Sequence, residues 1–289
     1  MDAASGPRGG EGILGKSPQQ SILSVLRVAC AEALRQPDLG ERLQRIKQKF
    51  YVRDFDGIFL EPANLPAYTA QYVPRRALCY YELFCRPELQ AILRARPTVY
   101  CLGAGAGSEL LGITAASCHA LAAPGGSGPL TIHSQDYADW SATLQALEGA
   151  VRYKWGLAAD AVSYAFSMGN LLDMSAEMTR SIARAQLVTA MFVFNELLAD
   201  KRSAIKFVRT LVDSTRPGAY FLLVDSAGSF SSISVAGTEY MSYMFFDSLG
   251  RFFEPVLSED ATWFRHARGL CYPLPVENMR YFIRLYRRI

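Results

Sequence analysis

Apolar residues recur at helical intervals from Ser21 onward. SILSVLRVACAEAL (21–34) sets Ile22, Leu23, Leu26, Val28, Ala29 and Leu34 on that spacing and predicts a helix. LGERLQRIKQKFYVRDF (39–55) predicts a second, mixing apolar positions with Arg42, Arg45, Lys47, Lys49 and Arg53. Its basic side reads as a solvated helix face, with nucleic-acid contact as the alternative. Pro62 and Pro66 are expected to break the next stretch, and ALCYYELFCRPELQAIL (77–93) to form a helix stopped near Pro97.

The pattern then changes to short apolar runs alternating with longer amphipathic ones. Strands are predicted at TVYCL (98–102), LTIHSQD (130–136), AVSYAFSM (161–168), within QLVTAMFVFNEL (186–197) and at AYFLLVD (219–225). Helices are predicted between them, the clearest being GSELLGITAASCHALAA and ADKRSAIKFVRTLVDST. Such alternation implies a parallel sheet covered by helices on both faces. Near the end, Tyr281, Ile283 and Leu285 oppose Phe282, Arg284 and Tyr286, which suits a late antiparallel strand. The expected fold is α/β: a Rossmann-like, doubly wound, mostly parallel sheet with that late strand, plus an N-terminal helical extension. Residues 1–18, rich in Gly, Ser and Pro, are expected to be disordered, 19–96 to form the helical region, and 97–289 the main domain. An irregular insertion is expected at about 226–270. Within it, GTEYMSYMFFDSL (237–249) predicts a helix turning Tyr240, Tyr243, Met244 and Phe245 inward.

Composition narrows the chemistry. The chain has 289 residues, half of them hydrophobic, and a net charge of +3, which argues only weakly for nucleic acid. Six scattered cysteines without a C-x-x-C pair, and only three histidines, give no zinc-ligand spacing, so no metal is expected. Neither a signal peptide nor an apolar run near the roughly 20 residues that cross a bilayer is evident. An intracellular protein is expected, in the nucleus, nucleolus or cytoplasm.

The first strand runs into GAGAGS, with Gly103, Gly105 and Gly107 alternating. Glycines there let backbone approach a ligand closely. No G-K-[ST] follows, which excludes a phosphate loop, and G-x-G-x-G departs from the dinucleotide G-x-G-x-x-G. The loop looks like the first motif of S-adenosylmethionine-dependent methyltransferases. Asp136, ending the second strand, is then the candidate for the ribose hydroxyls, while Asp139 fits a helix cap. Asn170 could meet the adenine edge and Leu171 cover its face; Asp173 is a further polar candidate. Asn195 and Glu196 follow the fourth strand, at the sheet edge where ligands bind, and are the candidate catalytic pair. Cys101 lies inside the first strand and reads as core, which disfavours covalent catalysis through a thiolate.

Taken in order, YVPRRALCYYEL (72–83), VYCLGAGAGSELLG, QDYADWS (135–141), FVFNELLADKRSAIKFV, FLLVDSAGSFS (221–231) and YPLPVENMRYFIRLYRR resemble a fungal family that methylates uridine N3 in 25S (large-subunit) ribosomal RNA. The resemblance covers most of the chain after about residue 60. It implies S-adenosylmethionine as cofactor and ribosomal RNA as partner. It also implies deprotonation of the N3 imide by Glu196, Asp200 or Asp225, on an unpaired or flipped base. Phe230, Tyr240 or Tyr243 could stack on RNA, and Arg75 and Arg76 could face phosphate or the cofactor carboxylate. Cys101 departs from the methyltransferase pattern, which commonly has an acid there, so another residue would have to hold the cofactor's amino group. Three other functions compete: a non-catalytic cofactor-fold subunit, a small-molecule or protein methyltransferase, and a nicotinamide-dependent oxidoreductase. Ser108 after the third glycine opposes the last of these.

Overall fold

The computed structural model describes residues 12–121, 128–198, 200–228, 232–235 and 238–289. Of the stretch expected to be disordered, residues 1–11 lie outside that set. The remainder is more structured than expected, since Leu14 is buried and α1 (Pro18–Ala29) starts at Pro18. α2 (Leu39–Tyr51) and the short α3 (Phe55–Phe59) follow. Pro66 does not break the next stretch. It sits in the first turn of α4 (Leu65–Phe84), where the missing N–H has no helical partner to lose. Pro74, in the middle of α4, does leave the Ala70 carbonyl without its helical donor, and the Tyr272 hydroxyl donates to that oxygen at 2.9 Å. The helix expected over 77–93 is divided, α4 ending before Pro87 opens α5 (Pro87–Arg94).

Five parallel strands then alternate with helices: β1 (Thr98–Leu102), α6 (Ser108–Leu121), β2 (Leu130–Asp136), α7 (Ser141–Trp155), β3 (Val162–Met168), α8 (Ala176–Arg184), β4 (Leu187–Met191), the short turn α9 (Phe194–Leu197), α10 (Lys201–Ser214) and β5 (Tyr220–Ser226). A hairpin of β6 (Ser232–Val235) and β7 (Thr238–Met241), α11 (Ser242–Asp247), β8 (Phe253–Phe264) and β9 (Met279–Arg288) complete the chain. The seven-stranded sheet has the order β3-β2-β1-β4-β5-β9-β8, with β9 antiparallel to both neighbours. The α/β, doubly wound architecture and the late antiparallel strand agree with the sequence pattern.

Strand residues alternate between two cores. Val99, Leu222, Val224, Ile283 and Leu285 join the core beneath α1 and α4–α7, and Tyr100, Leu102, Phe221, Leu223 and Phe282 the one beneath α8, α10 and α11. The N-terminal helices therefore share a continuous core with one face of the sheet. β8 was not expected from the sequence. It is a bulged edge strand with mostly exposed side chains, so it lacks the apolar alternation that marks a buried strand. The helix expected over 237–249 starts only at Ser242. Phe246 is its buried apolar residue while Met244 is exposed, and the Tyr240 side chain and Phe230 lie outside the described residues.

Two features of this frame position the site. The order reverses between β1 and β4, which opens a crevice at the carboxyl ends of the strands. The register pairs Leu102 with both Gln135 and Ala190, and Met191 with Val224, so the residues after β1, β2, β4 and β5 emerge along one edge. α4 is drawn against α6 at Gly112, where an added Cβ would lie 2.6 Å from the Tyr80 Cβ and 3.1 Å from the Tyr81 amide nitrogen. Gly112→Ala should therefore destabilise the protein by roughly 1–3 kcal/mol, although alanine is the better helix former. Chemical denaturation checks this, and a gain in stability would show that the two helices have room to spare.

Candidate active site

The loop after β1 is shaped by conformation and by packing. Gly103 and Gly107 adopt left-handed φ values of +64° and +84°, which a side chain disfavours. Gly105 has no such φ, and an added Cβ there would overlap the Trp140 indole. Its missing side chain thus makes room for a tryptophan of the protein as well as for any ligand.

Asp136 fastens this loop to the end of β2. One carboxylate oxygen accepts from the Gly105 amide and the other from the Ala138 amide, both at 3.0 Å. Burial raises its pKa, and the amide hydrogen bonds oppose that rise. Asp136 lines the cavity, with the Trp140 side chain and the Tyr137 amide also against its carboxyl group. Asp139 accepts from the Ser141 amide at 3.0 Å at the start of α7, as its capping role predicted.

The cavity is bounded by the glycine loop, by the β2, β3 and β4 ends, and by α3 and α4. At its β3 end the Asn170 side-chain carbonyl accepts from the Leu172 amide at 2.9 Å. The amide nitrogen of Asn170 is free to meet a ligand, while the carbonyl half of its expected donor–acceptor pair is partly committed to this turn. Leu171 is buried in the wall beside it. Gln135, fully buried, donates to the Gly169 carbonyl and keeps its own carbonyl oxygen unpartnered among the described residues. Asp173 is exposed and does not line the cavity.

Two lining residues were not predicted as a pair. Glu109, in the first turn of α6, is 3% exposed, and one of its carboxylate oxygens has no partner among the described residues. Burial pushes its pKa up to about 8, against the pull of Arg76. The signal in the sequence was the missing acid at Cys101, which is itself fully buried core with its thiol pKa raised by burial. Arg76 reaches in from α4, donates to the Tyr68 hydroxyl at 2.7 Å, and lies 5.6 Å from the Phe192 ring centre. Burial opposes its charge, but Tyr68, Tyr80 and Glu196 outweigh that cost and keep it ionised.

After β4 the backbone turns through Phe192, whose φ of +57° is strained for an aromatic residue. Asp225 braces the next turn by accepting from the Asn195 amide at 3.2 Å. Glu196 is half-buried as a residue, and burial of its carboxyl group pushes its pKa up to about 8, with Arg76 lowering it and Asp136 and Asp225 adding to the rise. It lines the cavity and also an adjoining cleft, whereas Asn195 lines the cleft alone. The side-chain carbonyl oxygen of Asn195 is buried there without a partner among the described residues. Asp200 is elsewhere: it caps α10 through the Ser203 amide at 3.1 Å. Of the three candidate bases, Glu196 is the one that lines the cavity. Arg75 and Arg76 diverge, Arg75 pairing with Glu277 and lining the cleft only. Among the described residues no cluster of His, Cys, Asp or Glu could hold a metal ion.

The chain matches, over residues 26–287, the family model described as "Putative SAM-dependent methyltransferase". It is 28% identical over 311 residues to the 25S rRNA (uridine(2843)-N(3))-methyltransferase of Saccharomyces cerevisiae, an alignment covering 93% of this chain and 85% of the yeast protein. Solved structures similar to it include magnesium protoporphyrin IX methyltransferase from Synechocystis PCC 6803, at 12% identity and a TM-score of 0.48 over 83% of this chain and 97% of that one. A SAM-dependent methyltransferase from Methanosarcina mazei gives 13% identity and a TM-score of 0.46 over 71% and 98% of the two chains.

The raised pKa of Glu109 has a consequence for stability. A carboxyl held at about 8 in the folded chain, against its ordinary value of 4.5, costs stability progressively as pH rises between the two values. Glu109→Gln should remove that cost, so its stabilising effect should be larger at pH 8 than at pH 5, by up to about 3 kcal/mol. Thermal melts of the ligand-free protein at both pH values check this. An equal effect at the two pH values would show that Glu109 titrates normally.

Proposed function

The chain belongs to this family of S-adenosylmethionine-dependent methyltransferases, matched from residue 26 to 287, and from that membership we propose that it methylates N3 of a uridine in large-subunit ribosomal RNA. S-adenosylmethionine is its cofactor. Support for the acceptor comes from the likeness to the yeast enzyme along nearly the whole chain. The geometric observation that carries the reading is Glu196, which lines both the cavity and the cleft beside it.

The residues present fit the cofactor. Glu109, with a buried and unpartnered oxygen, is suited to the α-ammonium group, in place of the acid missing at Cys101. Arg76 is the cavity's arginine and suits the carboxylate. Asp136 lines the cavity and suits the ribose hydroxyls. The unpartnered Gln135 oxygen and the Asn170 amide suit the adenine edge, and Leu171 its face. Gly103 and Gly105 line the cavity and suit the methionine side, whereas Gly107, expected to join them, turns instead toward Leu144 and Leu147 of α7 and does not line it.

When bound, the cofactor supplies an electrophilic methyl carbon, whose bond to sulfur breaks as the new bond to N3 forms. Uridine N3–H is an imide and a weak acid, so the protein must orient it and take one proton. Glu196 is the base in this reading. Its pKa of about 8 leaves a usable carboxylate fraction near neutrality and makes it a stronger base than an ordinary glutamate. The Asn195 amide, with its unpartnered oxygen, is placed to orient the uracil edge. In this reading the protein works inside the cell, in the nucleus, nucleolus or cytoplasm, where ribosomal RNA is found.

Incubation with methyl-labelled cofactor and unmodified large-subunit RNA, followed by nucleoside analysis, tests the reaction. 3-Methyluridine is the expected product, and label confined to another nucleoside would refute the acceptor. The single-turnover rate should rise with pH through about 8, as Glu196 loses its proton. Glu196→Gln should lower the rate about 10²–10⁴-fold and flatten that rise. A variant retaining the same pH dependence would remove Glu196 as the base.

A further inference from the structure

The cleft beside the cofactor cavity is walled by α2, by the turn after it and by α4. Its outer wall carries Lys47, Tyr51, Arg53, Tyr72 and Arg75. Its floor is Phe192, and Arg76 and Glu196 connect it to the cavity. We propose that this cleft is the RNA-binding site: the target uridine inserts over Phe192 toward Glu196, while Lys47 and Arg53 hold flanking phosphates and Tyr51 stacks on a neighbouring base. This inference rests on the ribosomal RNA reading and gives it a location.

Four independent features support it. The first is the charge of the lining, four cations against the single acid Glu196; Arg75 is paired with Glu277 and Arg76 serves the cofactor carboxylate in the proposed reading, which leaves Lys47 and Arg53 for the RNA. A polyanion is the complementary partner.

The second is the division of labour along α2. Two of its basic residues serve the fold: Arg42 pairs with Asp38 at 2.7 Å, and Lys49 with Asp54 at 3.2 Å and the Gly57 carbonyl at 2.9 Å. Lys47 and Arg53 have no ion pair among the described residues and line the cleft, whereas Arg45, also without one, is exposed outside its lining.

The third is the backbone at Arg53. α2 ends in a paired-bond cap, with the Asp54 amide donating to the Lys49 carbonyl at 2.9 Å and the Arg53 amide to the Phe50 carbonyl at 3.1 Å. Arg53 occupies the left-handed position of this cap, at φ +56°, where glycine is the usual residue. Arg96 holds the same left-handed position after α5 and spends its guanidinium on the Gly128 carbonyl at 2.9 Å, whereas Arg53 is exposed with no ionic partner among the described residues, which leaves its side chain available to a contact outside the fold.

The fourth is the aromatic content. Tyr51 is 88% exposed, beside the half-buried Tyr72, whose ring stacks on Tyr68 at 4.7 Å. An exposed aromatic next to unpaired cations at the mouth of a reaction cleft suits single-stranded RNA, whose bases stack and whose phosphates pair. A duplex would hide N3 within its base pair.

The test uses the full chain and a single-stranded oligoribonucleotide carrying the methylated uridine's sequence context, with Lys47→Gln/Arg53→Gly and Tyr51→Ala as variants. Glycine suits the cap position, so the double variant should melt no lower than the wild type. Fluorescence anisotropy should show RNA binding weakened at least tenfold in the double variant. The slope of log affinity against log salt should become shallower by about 1.4, the loss of two phosphate contacts. Tyr51→Ala should weaken binding several-fold with little change in slope. Cofactor affinity by calorimetry should stay at the wild-type value in both. If the wild type forms 3-methyluridine but both variants bind and methylate RNA as it does, the cleft is not the RNA site and the reaction assignment stands. If the wild type neither binds nor methylates ribosomal RNA, the functional reading itself fails.

Discussion

Three carboxylates share one poorly hydrated cavity with a single guanidinium, and much of the structure can be understood from that crowding. Asp136, Glu109 and Glu196 all have raised pKa values, while Arg76 stays charged. Without a ligand, such a site satisfies its ionisable groups poorly, and Glu109 and Glu196 retain protons they would lose in water. A ligand carrying an ammonium, a sulfonium and a carboxylate provides the missing complement. In the proposed reading Glu109 and Arg76 meet the zwitterion, Asp136 serves both the glycine loop and the ribose, and Glu196 is left as the base. The same desolvation that costs stability when the site is empty thus gives binding and basicity when it is filled.

The N-terminal helices are part of this arrangement. α4 lies on α6 at Gly112 and delivers Arg76 across the glycine loop. α2 and the turn after it form the outer wall of the cleft. The two left-handed non-glycine residues that border this cleft, Arg53 and Phe192, stand at its rim and on its floor. Backbone strain is thus concentrated where the acceptor is proposed to enter, and the rest of the cleft wall is ordinary helix.

The sheet was legible in the sequence because buried parallel strands are continuous apolar runs separated by amphipathic helices. β1 and β2 have the predicted bounds, and the alternation in β9 sends Tyr281, Ile283 and Leu285 to one core as expected. β8 was not legible, because a charged, bulged edge strand carries no periodic apolar signal. Pro66 misled because its context mattered, since it begins a helix; Pro74, within that helix, is accommodated because Tyr272 supplies a donor to the Ala70 carbonyl from 202 residues away. Within the site, chain order placed Asp136, Asn170 and Glu196 at strand ends, where they line the cavity. Local pattern could not show that the Asn170 side-chain carbonyl is partly committed to a turn, or that Asp200 is a helix cap. Nor could it show that the basic side of α2 divides between fold-stabilising pairs and cleft-facing cations, because that division depends on tertiary contacts.

The most direct test of the central claim is to map 3-methyluridine in large-subunit ribosomal RNA from cells that lack this chain, and from the same cells carrying the wild type or Glu196→Gln. The account predicts that the modification disappears from a specific uridine, returns with the wild type and stays absent or strongly reduced with the variant. A modification pattern that is unchanged when the chain is missing would contradict it.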